Sequence, residues 1–206
     1  MESIMNAMQL QESLTCKIYR GKEVQQVIGE LASLRLGVFR EYPYLYDGNL
    51  DEELEYLSRY VELKDSFVYM IFDKGAAVGA TTATPLIEEY EKFQEPYANV
   101  GINPNDVFYF GEAMLLPDYR GMGLYKNFMQ ERQSVARQYG AKLCSFLSVK
   151  RPENHPLRPK DYQDLKSIWT YYGFVEHPEI APSFAWQDVL QAEKTEKTFS
   201  AWLKAI

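Results

Sequence analysis

Residues 107–126 read VFYFGEAMLLPDYRGMGLYK, and the fold turns on how this stretch is divided. Val107 to Leu116 is apolar enough for a buried strand, and Pro117 closes it because proline offers no N–H to a ladder. Two glycines, Gly121 and Gly123, follow in a turn. Apolar residues at Leu124, Phe128, Val135 and Tyr139 then mark one face of a helix, with Gly140 as its stop. A strand that passes through a glycine turn into a helix aims backbone N–H groups at one point beside the helix's positive end. Such a cradle suits a phosphate or pyrophosphate. It is not the ATP-type loop, since no Gly-Lys-Ser/Thr closes it and Tyr125 precedes Lys126. It is not the dinucleotide fingerprint either, because Asn127 stands near the place of a third glycine. On the glycines alone, a plain strand-to-helix connection is the simpler reading.

Working outward, residues 14–20 make a short strand, and Val24, Val27, Ile28, Leu31, Leu34 and Val38 keep the spacing of one helix face. That helix must stop before Tyr42-Pro43, because the residue before proline avoids the helical region. Asp51, Glu52 and Glu53 open a second helix with acids in its first turn. The run from Phe67 to Phe72, the turn Asp73-Lys74-Gly75 and the run from Ala76 to Thr84 read as an antiparallel hairpin. Residues 87–105 make an excursion loop with room for a short helix, and 142–149 a further strand. Asp161 caps a helix bearing Tyr162, Leu165, Ile168, Trp169 and Tyr172, ended by Gly173. Short strands follow at 174–176 and 183–187, and Phe199, Trp202, Leu203 and Ile206 fit a terminal amphipathic helix. No repeat or linker splits the order, which predicts one α/β domain over residues 1–206.

Composition narrows the function. The chain has 206 residues with 22 Lys+Arg against 29 Asp+Glu, and this acidic balance with no basic cluster argues against nucleic acid. Sixteen tyrosines, 11 phenylalanines and 3 tryptophans argue against disorder. No run is long and apolar enough for a membrane span, and MESIMNAMQLQES lacks the basic and apolar regions of an export signal. Cys16 and Cys144 have no metal-type spacing and read as free thiols of a reducing cytoplasm. No metal site is expected.

Leu-Pro-x-Tyr-Arg-Gly-x-Gly after a strand, in this element order, resembles the Gcn5-related N-acetyltransferase (GNAT) superfamily. Arg120, Gly121, Met122, Gly123, Leu124 and Tyr125 occupy its [Arg/Gln]-x-x-Gly-x-[Gly/Ala] signature, and Tyr171-Tyr172-Gly173-Phe174 looks like its helix-to-strand Gly-Phe motif. The segments FREYPYLYDG and HPLRP are similar to a bacterial subgroup of unknown substrate. The resemblance implies a mixed, mostly antiparallel sheet splayed at a coenzyme A site and flanked by helices. It implies direct acyl transfer from acetyl-CoA or another acyl-CoA to an amine on a small molecule or peptide. Backbone N–H groups of residues 120–125, with Lys126, would hold the pyrophosphate. The backbone of Met114 and Leu116, around Leu115, would pair with the pantetheine arm.

Two positions depart from the pattern. Tyr125 replaces the last small residue of the signature, and Trp169 stands where the family often has a tyrosine acid. Glu112 is the candidate general base, or else the partner of a basic residue such as Arg35. Tyr172 is a candidate proton donor, or a core aromatic. Arg151, His155 and Arg158 are candidates for binding an acceptor anion, or members of a proline-stiffened loop. Tyr42, Tyr44 and Tyr46, with Trp169, are candidates for lining the acceptor and thioester ends of the site. An acyl-CoA-binding sensor or regulatory protein without turnover is the alternative function. Edge strands leave room for a homodimer.

Overall fold

The structure, a computed structural model, describes residues 13–206. The stretch bearing on an export signal, residues 1–12, lies outside the described residues. Along the chain come β1 (Leu14–Tyr19), α1 (Ile28–Phe39), α2 (Leu50–Glu62), β2 (Phe67–Asp73), β3 (Ala76–Pro85), α3 (Glu91–Asn99), β4 (Val107–Leu115) and α4 (Leu124–Tyr139). They are followed by β5 (Leu143–Val149), α5 (Lys166–Tyr171), β6 (Val175–His177), β7 (Ser183–Gln187) and β8 (Lys194–Ala205). The strands form one sheet in the order β1-β2-β3-β4-β5-β8-β6, with β7 also on β8. Every pairing is antiparallel except β4 with β5.

The continuous apolar run of β2 reflects burial on both faces. Successive side chains point to opposite sides of a strand, so Phe67, Tyr69 and Ile71 meet Phe128 and Met129 of α4. Val68 and Met70 meet Leu31 and Leu34 of α1 and Leu57 and Tyr60 of α2. Fully burying a side chain such as Phe128 contributes about 1.5–3 kcal/mol. The hairpin turn is as expected, with Lys74 and Gly75 both at positive φ, 49° and 86°. Asn49 caps α2 by accepting from the Glu52 N–H at 3.0 Å.

Three expectations need correction. The terminal amphipathic helix is instead the long strand β8, which pairs with β5 from Leu143↔Ala205 to Val149↔Phe199. Phe199, Ala201 and Leu203 pack on one face and Trp202 on the other, and an apolar run buried on both faces satisfies either period. The helix expected from Asp161 is only the six-residue α5, and Tyr162 precedes it. Asp164, not Asp161, accepts from the Lys166 N–H at 3.0 Å just ahead of that helix. The first helix begins at Ile28, because residues from Gly21 to Gln26 form a tighter 3₁₀ turn.

Candidate active site

The glycine turn has the conformation a cradle needs. Gly121 and Gly123 sit at φ 74° and 78°, where a side chain is strained, and a Cβ on either would meet nothing within 4 Å. The cradle is narrower than the signature implies. The Arg120 N–H goes to Pro117 O at 3.1 Å and the Lys126 N–H to Gly123 O at 3.0 Å. The N–H groups of Leu124 and Tyr125, in the first turn of α4, have no acceptor within the helix and remain for a ligand. The Arg120 side chain spans from Leu115 O (3.0 Å) to Glu41 (2.7 Å), while Lys126 is exposed beside the turn.

The sheet splays just above this turn. β4 and β5 are in register only over Val107↔Leu143, Phe108↔Cys144 and Tyr109↔Ser145. Beyond Tyr109 that edge of β4 is open. The register corrects which backbone groups face the gap: Leu116 N–H donates to Val78 O at 3.0 Å, and alternate residues of a strand bond to opposite sides. Met114 and Leu116 therefore bond toward β3, and Ala113 and Leu115 face the cleft. A bulge places Gly111 and Glu112 together opposite Thr82. Glycine is required there, since a Cβ would lie 2.5 Å from the Thr82 hydroxyl and 2.8 Å from that of Tyr60.

Two cavities meet at the bulge. One, of about 180 Å³, lies in the splay between Ala113, Tyr125, Arg132, Phe146 and Trp169. The other, of about 290 Å³, lies under the α1–α2 loop between Tyr46, Tyr56, Phe93, Phe184 and Trp186. Phe39, Tyr44, Gly111, Glu112 and Leu147 line both.

Glu112 forms the wall between them and is paired as the sequence alternative allowed. Its Oε1 accepts from Arg35 and, at 3.2 Å, from the Tyr56 hydroxyl. Its Oε2 accepts from Thr82 and, at 3.3 Å, from Tyr60. Arg35 also bridges to Glu53, so one cation serves two carboxylates. Burial works against the Arg35 charge, but Glu112, Tyr56 and Glu53 outweigh it and hold its proton tighter than usual. Burial likewise pushes the Tyr44 phenol up to about 12, with Glu112 adding to the effect. Tyr46, raised by burial and by Glu53, is a neutral hydroxyl at any ordinary pH.

On the opposite side of the splay, Trp169 Nε1 donates to the Tyr125 hydroxyl at 3.0 Å. The two departures from the signature thus touch each other. Tyr172 packs near Tyr125 at 6.4 Å between ring centres and is no part of either cavity's lining. The basic loop divides. Arg151 is buried and bidentate to Asp188 at 2.7 and 2.9 Å, and it donates to Pro43 O and Tyr44 O at 2.7 and 2.6 Å. With its fork spent on protein, it is a brace for the Tyr44 loop rather than an anion site. Arg158 lies over Tyr162 (5.2 Å) and Tyr42 (6.0 Å), and His155 lies 5.9 Å from Tyr42, outside both cavities. Tyr42 accordingly stacks in this loop, while Tyr44 and Tyr46 do line the wider cavity.

Sequence reading missed Arg132, Tyr56, Tyr60, Thr82 and the aromatics of β7. Arg132 had a signal, since it stands one turn from both Phe128 and Ala136 and so shares their buried face. The β7 contribution had none, because strand pairing across the α1–α2 loop is not written in local periodicity.

No family model matches the sequence, and no curated protein sequence matches it. Solved structures do match. A GNAT-family acetyltransferase from Streptococcus pneumoniae superposes with TM-score 0.56 at 12% identity, covering 94% of this chain and 99% of that one. The PaiA N-acetyltransferase of Thermoplasma acidophilum, in complex with coenzyme A, gives 0.56 at 10%, covering 93% and 99%. The Drosophila melanogaster polyamine N-acetyltransferase that forms N-acetylagmatine gives 0.55 at 12%, covering 93% and 100%. The chain has the fold of the GNAT acetyltransferases, in the mixed, splayed form that the signature implies. Among the described residues no helix is long and apolar enough to cross a membrane.

Proposed function

We propose that the protein is an acyl-CoA-dependent N-acyltransferase, moving acetyl from acetyl-CoA to a primary amine. The carrying observation is the pair of cavities that meet at Glu112, one in the splay above the glycine turn and one under the α1–α2 loop. The donor fits the first: an open glycine turn suits the pyrophosphate, and the free edge of β4 suits an arm bearing amides. Acyl-CoA supplies an acyl carbon already activated as a thioester.

The residues then have distinct tasks. The N–H groups of Leu124 and Tyr125, with the Lys126 charge, hold the diphosphate. The Ala113 and Leu115 backbone extends the ladder onto the arm, and one of these N–H groups polarises the thioester carbonyl. The acceptor occupies the wider cavity. A lysine-type amine has a pKa near ~10.4 and must lose a proton to attack. Arg35, Glu53 and Glu112 together carry one net negative charge, which draws the ammonium form. An amine that displaces the Tyr56 hydroxyl, one of the longer contacts of Glu112, gains Oε1 as its base. We place the whole chain, residues 1–206, as one such domain in the cytoplasm, acting on a small-molecule or peptide amine.

A second reading, an acyl-CoA sensor without turnover, rests on the saturation of Glu112: four donors already fill its lone pairs. Acetyl-CoA with a panel of amines, followed by release of free thiol, separates the two. Polyamines and agmatine head the panel, because a fold relative forms N-acetylagmatine and the triad suits a cation. Amine-dependent thiol release is the expected result. Saturable coenzyme A binding without release on any acceptor makes the protein a sensor, and no binding removes both readings.

A further inference from the structure

Among the described residues, Arg35, Arg59, Arg151 and Lys197 are inward-facing cations that each meet a carboxylate. Arg132 does not. It is 2% exposed, on the third turn of α4, and it lines the splay cavity. Its Nε donates to Phe128 O at 3.3 Å, its Nη2 lies 3.2 Å from Met129 Sδ, and its guanidinium lies 4.6 Å from the Phe110 ring centre. The groups that face it are Tyr125 on its own helix, whose hydroxyl it hydrogen-bonds, Cys144 on β5 and Glu112 on β4. Burial pushes the guanidinium down, and these neighbours offset only part of that. Arginine nonetheless stays protonated at neutral pH. An enclosed charge with no counter-ion is costly to keep. The cleft that holds it is the one in which acyl transfer creates an anion.

We propose that Arg132 is the counter-charge for the departing thiolate of coenzyme A. The proposal rests on the acyl-CoA reading given above. As the amine nitrogen bonds to the acyl carbon, the carbon–sulfur bond breaks and its electron pair leaves on sulfur. The ammonium gives one proton to water before attack, the proton released as nitrogen bonds to carbon passes to Glu112, and the thiolate takes its own proton from water after transfer. Arg132 meets the sulfur charge, and the Tyr125 hydroxyl, which accepts from Trp169 and Arg132, keeps its own hydrogen to donate to the same atom. A carboxylate-bearing acyl group is the competing anion, but it would lie in a cavity that Glu112 also lines.

The test titrates the thiol of bound coenzyme A by its thiolate absorbance, in the full chain and without an acceptor. Cys144, pushed up to about 12 by burial, stays silent, and the ligand-free protein subtracts Cys16. In the wild-type protein the bound thiol should ionise about one pH unit or more below free coenzyme A, a tenfold gain in thiolate. Arg132→Met should return it to the free value, and Arg132→Lys should retain part of the shift. A wild-type protein that binds coenzyme A with an unshifted thiol overturns this proposal and leaves the acyltransferase reading standing. The same follows if a folded Arg132→Met binds coenzyme A and keeps the full shift, or loses only affinity for succinyl-CoA. No coenzyme A binding at all removes the functional reading with it. Should Arg132→Met fail to fold, the wild-type shift measured against free coenzyme A still decides.

Discussion

Glu112 and Arg132 are buried charges in one cleft, 5% and 2% exposed, and the fold treats them oppositely. Glu112 has a cation and three hydroxyls on its two oxygens. Arg132 has a carbonyl, a thioether, the Tyr125 hydroxyl and an aromatic face, and no carboxylate. A charge compensated by the protein is an architectural part, and removing a partner strands the rest. A charge the protein leaves uncompensated is held for something that arrives. Mutation should separate the two kinds by size.

The largest loss should come from the most compensated cluster. Asp188 takes two bonds from Arg151 and lies 3.1 Å from Lys197, all three buried or nearly so. Asp188→Ala leaves two inward-facing cations without their carboxylate, which costs about 3–5 kcal/mol of unfolding free energy, read from urea denaturation. The wild-type contribution is also acid-labile. Burial raises the Asp188 carboxyl, but Arg151 and Lys197 outweigh it and hold it below the usual range. A depressed folded pKa means the stabilisation is complete above the unfolded value of about 3.9. It is lost as pH falls below that through the folded value. Wild-type stability should therefore drop in that window, and Asp188→Ala should lack that part of the drop.

Glu112→Gln should cost somewhat less, about 3 kcal/mol, because Arg35 keeps Glu53. It also sharpens the catalytic assignment. With coenzyme A binding retained, amine-dependent turnover should fall by about 10²–10⁴-fold. A folded Glu112→Gln that keeps wild-type turnover takes the base role away and leaves Glu112 as the wall between cavities.

The contrast also explains which parts of the fold and the site are legible in the sequence. The strand, the glycine turn and the start of α4 were legible because Pro117, Gly121, Gly123 and Gly140 each punctuate the backbone for a local reason. The Glu112–Arg35 pair could be named but not chosen, since their 77-residue separation is bridged only by packing. β8 was misread because burial on both faces erases the two-residue period that marks a strand. Arg151 misled because a loop arginine and a bracing arginine look the same until Asp188 arrives from beyond β7.

The glycine turn gives a smaller and purely backbone effect. Gly123→Ala places a Cβ where nothing lies within 4 Å, so only the positive φ of 78° is penalised, at about 1–2 kcal/mol. Coenzyme A affinity should weaken alongside, while acceptor KM stays unchanged. Unaltered affinity in the folded variant would move the diphosphate elsewhere.

The smallest stability change belongs to Arg132→Met. Methionine fills a similar volume, keeps contact with the Phe110 ring and needs no counter-ion. What is lost is a cation–π contact and three donations; what is gained is relief from a desolvated charge. The two should nearly cancel, leaving the unfolding free energy from urea denaturation within about 1 kcal/mol of wild type. Against the 3 kcal/mol or so expected for Glu112→Gln, that difference is measurable in the ligand-free protein. A loss as large as that of Glu112→Gln would mean the fold itself relies on Arg132, and the two charges would then belong to one kind.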